Sequence, residues 1–233
     1  MEELLPKPVR EPRAVLFDMD GVLVDSMPVH ALTWHETAVK YGLKAEKNEF
    51  YDFEGMKGAD TITLLYRRTY GRDPDPALTE EIYAHKSALF ASHKGEMPVI
   101  PGAADLMKEL KGRGIGIGVV TGSTLHNTLP RIERYYSEYL DESRIITADL
   151  AGRGKPYPDP YLAGVKLFGL PEEDFLVVEN APLGIRSARA AGLFTAAVTT
   201  GPIPGYKLRA EGANLIFRNM YALGSWWICT FKR

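Results

Sequence analysis

Residues 15–25 read VLFDMDGVLVD: an apolar run, two aspartates one residue apart, a glycine and a second apolar run. In an extended segment, residues two apart lie on one face, so Asp18 and Asp20 bring their charges together. Like charges at that range raise each other's pKa unless a positive group sits between them. The chain must therefore supply that positive charge or recruit it from solution. A short apolar run with no polar interruption is also the pattern of a strand covered on both faces, as in a parallel sheet.

The same kind of run recurs at 115–120, 144–147, 175–178, 194–198 and 214–217, with helical patterns at about 102–113, 124–135, 158–169 and 182–191. This alternation predicts an α/β fold, a doubly wound and mainly parallel sheet. It fails between Met27 and Met97, where helix follows helix in PVHALTWHETAVKYG, GADTITLLYRRTYG and ALTEEIYAHKSALFASHK. Residues 1–26 and 99–233 are therefore expected to form the core, with 27–98 a small helical domain inserted after the first strand. The proline-bearing first dozen residues are expected to be an extended arm, and the apolar SWWICTF near the end is expected to bury against the sheet edge.

The chain has 233 residues, a formal charge of −2 and 45% apolar residues, which leaves no basic footprint for nucleic acid or an anionic membrane. Its one cysteine, Cys229, forms no internal disulfide, which suits a reducing compartment. No run reaches the roughly 20 apolar residues that span a bilayer, and the first residues lack a signal-peptide core. The expectation is a soluble, cytoplasmic, monomeric protein with no nucleic-acid or membrane partner.

In open parallel sheets, ligands bind outside the carboxyl ends of the strands, and here those ends collect polar residues. The first strand ends in Asp18 and Asp20, and a second in VVTGS, which places Thr121, Gly122 and Ser123 at the edge. A later loop, GKPYPDP, carries Lys155, and FLVV runs straight into Glu179 and Asn180. Each piece alone also reads as a turn, a helix cap or a solvated lysine. Together they form an oxygen-rich cluster of Asp18, Asp20, Glu179 and Asn180 that favours Mg2+, with Thr121 and Lys155 placed to hold a phosphate. A carboxylate whose charge is compensated by metal and lysine can attack phosphorus and form an aspartyl phosphate.

DMDGVLVDS, VVTGS, GKPYPDP and VVENAPLGIRSARAAG, in this order, resemble the four motifs of the haloacid dehalogenase superfamily. The insertion resembles the helical cap of its β-phosphoglucomutase-like branch. The resemblance implies Asp18 as nucleophile and Asp20 as general acid and base. It further implies that Asp20 reaches the metal only through its backbone carbonyl, and that Glu179 reaches it directly or through water. Asp20 argues against dehalogenation, since dehalogenases of the superfamily lack that second aspartate. Asn180 stands where an aspartate is common, and still offers an amide oxygen.

Phosphoglucomutases of the branch carry a lysine and an arginine in the cap, where this chain has Glu54 and Gly58. Lys57 lies close enough in sequence to substitute in part. Glu54 reads either as an exposed loop residue or as a gate favouring small substrates, as in members that look like inorganic pyrophosphatases. His30 reads either as a substrate-side histidine near the hinge or as a packing partner of Trp34. The favoured expectation is Mg2+-dependent hydrolysis of a small phosphate compound, pyrophosphate or a small sugar phosphate. The alternatives are a β-phosphoglucomutase and, more distantly, a receiver-like phosphoacceptor or a non-catalytic binding protein.

Overall fold

In a computed structural model, the structure describes Pro8, residues 10–93 and residues 97–232. The expected N-terminal arm lies largely outside these residues, as does Lys94 at the end of the third predicted helix of the insertion. Six parallel strands form one sheet: β1 (Ala14–Phe17), β2 (Gly116–Val120), β3 (Ile145–Ile146), β4 (Phe175–Glu179), β5 (Phe194–Val198) and β6 (Leu215–Phe217), in the order β3-β2-β1-β4-β5-β6. β1 explains why its run is apolar without alternation. Val15 and Phe17 face one buried cluster while Ala14 and Leu16 face another on the opposite side of the sheet.

The helices that cover the sheet are α5 (Ala103–Gly112), α6 (Leu125–Tyr136), α7 (Asp159–Phe168), α8 (Pro182–Ala190), α9 (Gly205–Ala210) and α10 (Met220–Thr230). The last two are absent from the sequence reading, for different reasons. α9 follows the glycine- and proline-rich TTGPIPG, which reads as loop, and α10 is too uniformly apolar to show a stripe. As expected of SWWICTF, Trp227 is fully buried, among the side chains of the main cluster.

Between β1 and β2 lie α1 (Met27–Lys40), α2 (Glu49–Asp52), α3 (Gly58–Tyr70) and α4 (Pro76–Ser92), and the four-residue α2 was also not anticipated. These helices pack around a cluster of their own that includes Ala31, Phe50, Leu65 and Tyr66. The two connections to the sheet run side by side. Val24 pairs antiparallel with Val99, Asp25 N donates to Pro98 O at 2.8 Å, and Ile100 N donates to Leu23 O at 2.8 Å.

The register brings the strand ends level. Phe17 pairs with Val119 on one side and Val178 on the other, so the residues just beyond, Asp18, Val120 and Glu179, emerge together at the carboxyl edge. Among the described residues, no helix is long and apolar enough to cross a membrane.

Trp227→Ala should lower stability by about 3–5 kcal/mol through the cavity it leaves. Urea unfolding should show a lower midpoint at a similar slope. An unchanged midpoint would mean that α10 contributes nothing to the core.

Candidate active site

Lys155 lies at the centre of the level strand ends. Its side chain is 1% exposed, and Nζ donates to Asp18 Oδ1 at 2.5 Å, to Glu179 Oε1 at 2.6 Å and to Val120 O at 3.2 Å. Burial works against its charge, but the Asp18 and Glu179 carboxylates outweigh that and hold Lys155 above its usual range. Burial pushes Asp18 well up, with Glu179 and Asp20 adding to the push and Lys155 opposing it. This is the positive group that the paired aspartates required.

Glu179, which the resemblance lets reach the metal directly or through water, has protein donors on both oxygens. Its Oε1 accepts from Lys155 and from Tyr161 Oη at 2.8 Å, and its Oε2 accepts from the backbone N–H groups of Asn180 and Ala181 at 3.0 and 3.2 Å. With both oxygens engaged, Glu179 orients Lys155.

Asp20 is held by a ring of donors. Ser26 Oγ and Arg131 Nη1 (3.4 Å) donate to Oδ1, while Ser123 Oγ (3.2 Å) and Thr121 Oγ1 (3.4 Å) donate to Oδ2. His30 Nε2 lies 3.4 Å from Oδ1 without hydrogen-bond alignment. Burial alone would raise the Asp20 carboxyl, but His30, Arg131 and Ser26 together hold it well below the usual carboxylate range. Burial and the Lys86 charge lower His30 to about 4, so near neutral pH His30 is uncharged and Arg131 is the charge that remains. Thr121 and Ser123 thus sit where the sequence places them, but in this arrangement their hydroxyls bind Asp20. Gly122 packs against the insertion: a Cβ there would stand 2.6 Å from Gly55 O, so only glycine permits this approach.

The insertion contributes residues that sequence reasoning missed. Lys86 of α4 is 5% exposed, lies 2.8 Å from His30 Nδ1, and sits 4.7 and 5.2 Å from the ring centres of Phe90 and Trp34. His30 stacks on Phe90 at 4.1 Å, rather than on Trp34, and Arg131 approaches the Phe90 ring at 4.6 Å. Facing aromatic rings is favourable for both cations. A signal for Lys86 was present: Ile82, Lys86 and Phe90 recur every four residues and are the buried residues of α4. A lysine inside a buried stripe calls for an anionic or aromatic partner.

Glu54 is not an exposed loop residue. It is 7% exposed and accepts from Asn180 Nδ2 at 3.0 and 3.1 Å. Burial, then the charges of Asp18 and Glu179, push it well above the usual range. Lys57, expected near the substrate, instead donates to Ala151 O (2.8 Å) and Gly152 O (2.7 Å). Its stem reaches the loop that carries Lys155 and turns the ammonium away from the cavity.

A cavity of about 60 Å3 opens among Asp18, Asp20, His30, Glu54, Lys86 and Ser123. Asp18 Oδ2 and Asn180 Oδ1 are buried and without a hydrogen-bond partner. Two orphaned hard oxygens amid an excess of carboxylates fit a hard cation such as Mg2+. Among the described residues, no group of three or more His, Cys, Asp or Glu is arranged to hold a metal. Such an ion would therefore also draw on the Asn180 amide, backbone carbonyl, water and substrate oxygens.

Comparison with known proteins identifies the family of the chain. The chain is 32% identical over 186 residues to hexitol phosphatase A of Escherichia coli (strain K12), covering 80% of this chain and 82% of the relative. It is 25% identical over 193 residues to β-phosphoglucomutase of Bacillus subtilis (strain 168), covering 81% and 84%. The solved structure of a candidate β-phosphoglucomutase from Bacteroides vulgatus superposes with a TM-score of 0.89 at 40% identity, covering 93% of this chain and 88% of that one. Residues 12–192 match the haloacid dehalogenase-like hydrolases across all four strand-end segments. The chain belongs to that family, as an enzyme of its phosphatase and phosphoglucomutase-like branch.

Proposed function

We propose that the protein is a Mg2+-dependent phosphohydrolase acting on a small phosphate compound, with inorganic pyrophosphate the leading candidate. The observation that carries this reading is the small cavity bounded by Asp18 on one side and the Lys86 ammonium on the other. At about 60 Å3 it has room for only a few waters, far less than a hexose bisphosphate requires. Glu54 on its wall offers a second phosphate no positive partner, while Lys86 attracts a compact anion.

In this reading the helices of residues 27–98 form a cap domain over the core, hinged at the paired connections. Lys155 holds one oxygen of Asp18 and fixes its direction. An Asp18 oxygen forms a bond to phosphorus as the bond from phosphorus to the leaving oxygen breaks, and a proton on Asp20 passes to that oxygen. Water then attacks the aspartyl phosphate and returns its proton to Asp20, and the bond between phosphorus and Asp18 breaks. The low pKa of Asp20 suits the second half, in which it accepts a proton. For the first half it must gain a proton, which loosening of its contacts with Arg131 and Ser26 would favour. Mg2+, held through Asp18 and Asn180, would offset the charge that gathers on the phosphoryl oxygens. Thr121 and Ser123 would turn their hydroxyls to the phosphate once Asp20 moves.

A second reading, isomerisation of a phosphorylated sugar, is favoured by Lys86, a cap cation at a position the sequence did not suggest. The relatives named for hexitol phosphatase and β-phosphoglucomutase activity also support a sugar phosphate substrate.

Phosphate release with Mg2+ should be measured on pyrophosphate and on hexose and hexitol phosphates, alongside conversion of β-glucose 1-phosphate to the 6-phosphate. Pyrophosphate hydrolysis is expected to dominate, and efficient isomerisation with little hydrolysis would overturn the proposal. Asp20→Asn should lower kcat by about 10²- to 10⁴-fold with folding intact by circular dichroism. Glu54→Lys should shift preference from pyrophosphate towards larger phosphates, whereas an unchanged ranking would remove Glu54 from substrate selection.

Lys86 also makes a pH prediction. Burial lowers its pKa from 10.5 to about 7. Between these values the unfolded chain holds the extra proton, so this group's contribution to stability rises with pH across that window. Lys86→Met should therefore stabilise the protein most at pH 6, and the gain should shrink by pH 9 in urea melts. A gain that does not vary with pH would contradict the assignment.

A further inference from the structure

A second cavity, of about 300 Å3, meets the site from another side, lined by Asp25, Tyr51, Glu54, Asn180, Thr200 and Gly201 among others. Glu54 and Met27 line both cavities and so form the partition between them. The two mouths differ in charge. The first is lined by Lys86 and His30 as well as carboxylates, whereas the second has carboxylates and no Lys, Arg or His. Among the described residues, no hydrogen bond or ion pair ties down the Asp25 carboxylate. Asp25 and Glu54 line the second cavity together with Tyr51, whose phenol is pushed up by burial and then by those two groups. At the inner end is Asn180, 5% exposed, whose Oδ1 has no partner. Gly21 (φ +81°) closes that end, and a Cβ there would lie 2.2 Å from Asn180 Nδ2.

We propose that this second cavity is a loading port for a divalent cation, separate from the entrance used by the phosphate substrate. Asp25 draws a hydrated dication inward past the Glu54 carboxyl, and the Asn180 amide oxygen receives it. The inference rests on the metal-dependent reading above and adds a route and a residue, Asp25, to it. Size and charge both favour the division. Counted as room for water centres, at about 10–15 Å3 each, the 300 Å3 cavity holds several times as many waters as the 60 Å3 one, so an ion with its hydration shell passes more freely through it. A concave mouth lined by one sign of charge focuses its field and concentrates the opposite ion. The same field turns phosphate away, so the two reactants do not compete for one opening.

Mn2+ serves as the probe, its uptake by the full chain followed by rapid mixing with a metal indicator and its equilibrium binding by loss of the free-ion EPR signal. Asp25→Asn should slow association by about three- to tenfold, an effect that fades as salt rises. Gly201→Lys, at a position where a Cβ meets nothing within 4 Å, should slow it at least as much and keeps the test open if the Asp25 variant misfolds. Orthophosphate affinity of the Mn2+-saturated variants should stay within about twofold of wild type, because the electrostatic steering acts on the cation mouth alone. Wild-type association rates in the folded variants would overturn the port while leaving the metal site intact. Absence of Mn2+ binding to wild type, or binding unaffected by Asp18→Asn, would overturn the metal-dependent reading and the port together.

Discussion

The buried ammonium of Lys155, bonded at once to Asp18 and Glu179, is the contact on which the site depends. Three strand ends and one loop converge on it, and Lys155, Asp18 or Glu179 alone would be a buried, uncompensated charge. Removing one partner from a buried pair typically costs about 3–5 kcal/mol, because the other charge is left unpaired. The loop bearing Lys155 is therefore tied to the sheet by electrostatics as well as packing. Glu179, with four hydrogen-bond donors on its two oxygens, positions the lysine.

Asp20 shows a second kind of control. It remains an acceptor because the core contributes Arg131, Thr121 and Ser123 while the hinge-side segment contributes Ser26. Its protonation is thus sensitive to how residues 26–30 sit against the core. Phe90 links the same two layers, with His30 stacked on its ring and Lys86 and Arg131 within cation–π range. Two cations near one another would repel, and the aromatic ring and Asp20 together make their proximity tolerable.

The insertion sets the charges that face the cavity. Glu54 replaces a cation expected of sugar-phosphate mutases, yet Lys86 restores one from another helix. One cation is regained at a different position, Glu54 adds a carboxyl group, and the cavity beside them is narrow. Specificity in such a site follows from which groups are left unpaired when the wrong molecule enters.

The core was legible in the sequence because each strand is a short apolar run with a polar residue at its end, and parallel sheets require both. Asp18, Asp20 and Thr121 could be placed together for that reason, with Lys155 read from the later GKPYPDP loop. The inserted helices were legible as helices, but not in their orientation. Lys57 and Lys86 are both lysines of this segment, yet one bonds backbone carbonyls of the Lys155 loop and the other enters the cavity. Glu54 as a buried partner of Asn180, Glu179 as an anchor for Lys155, and Arg131 against Asp20 likewise depended on the tertiary structure. The physical reason is that strand ends are aligned by backbone register, which local sequence specifies. Contacts between separate helices and loops are decided by packing over long chain separations, for which no local pattern exists.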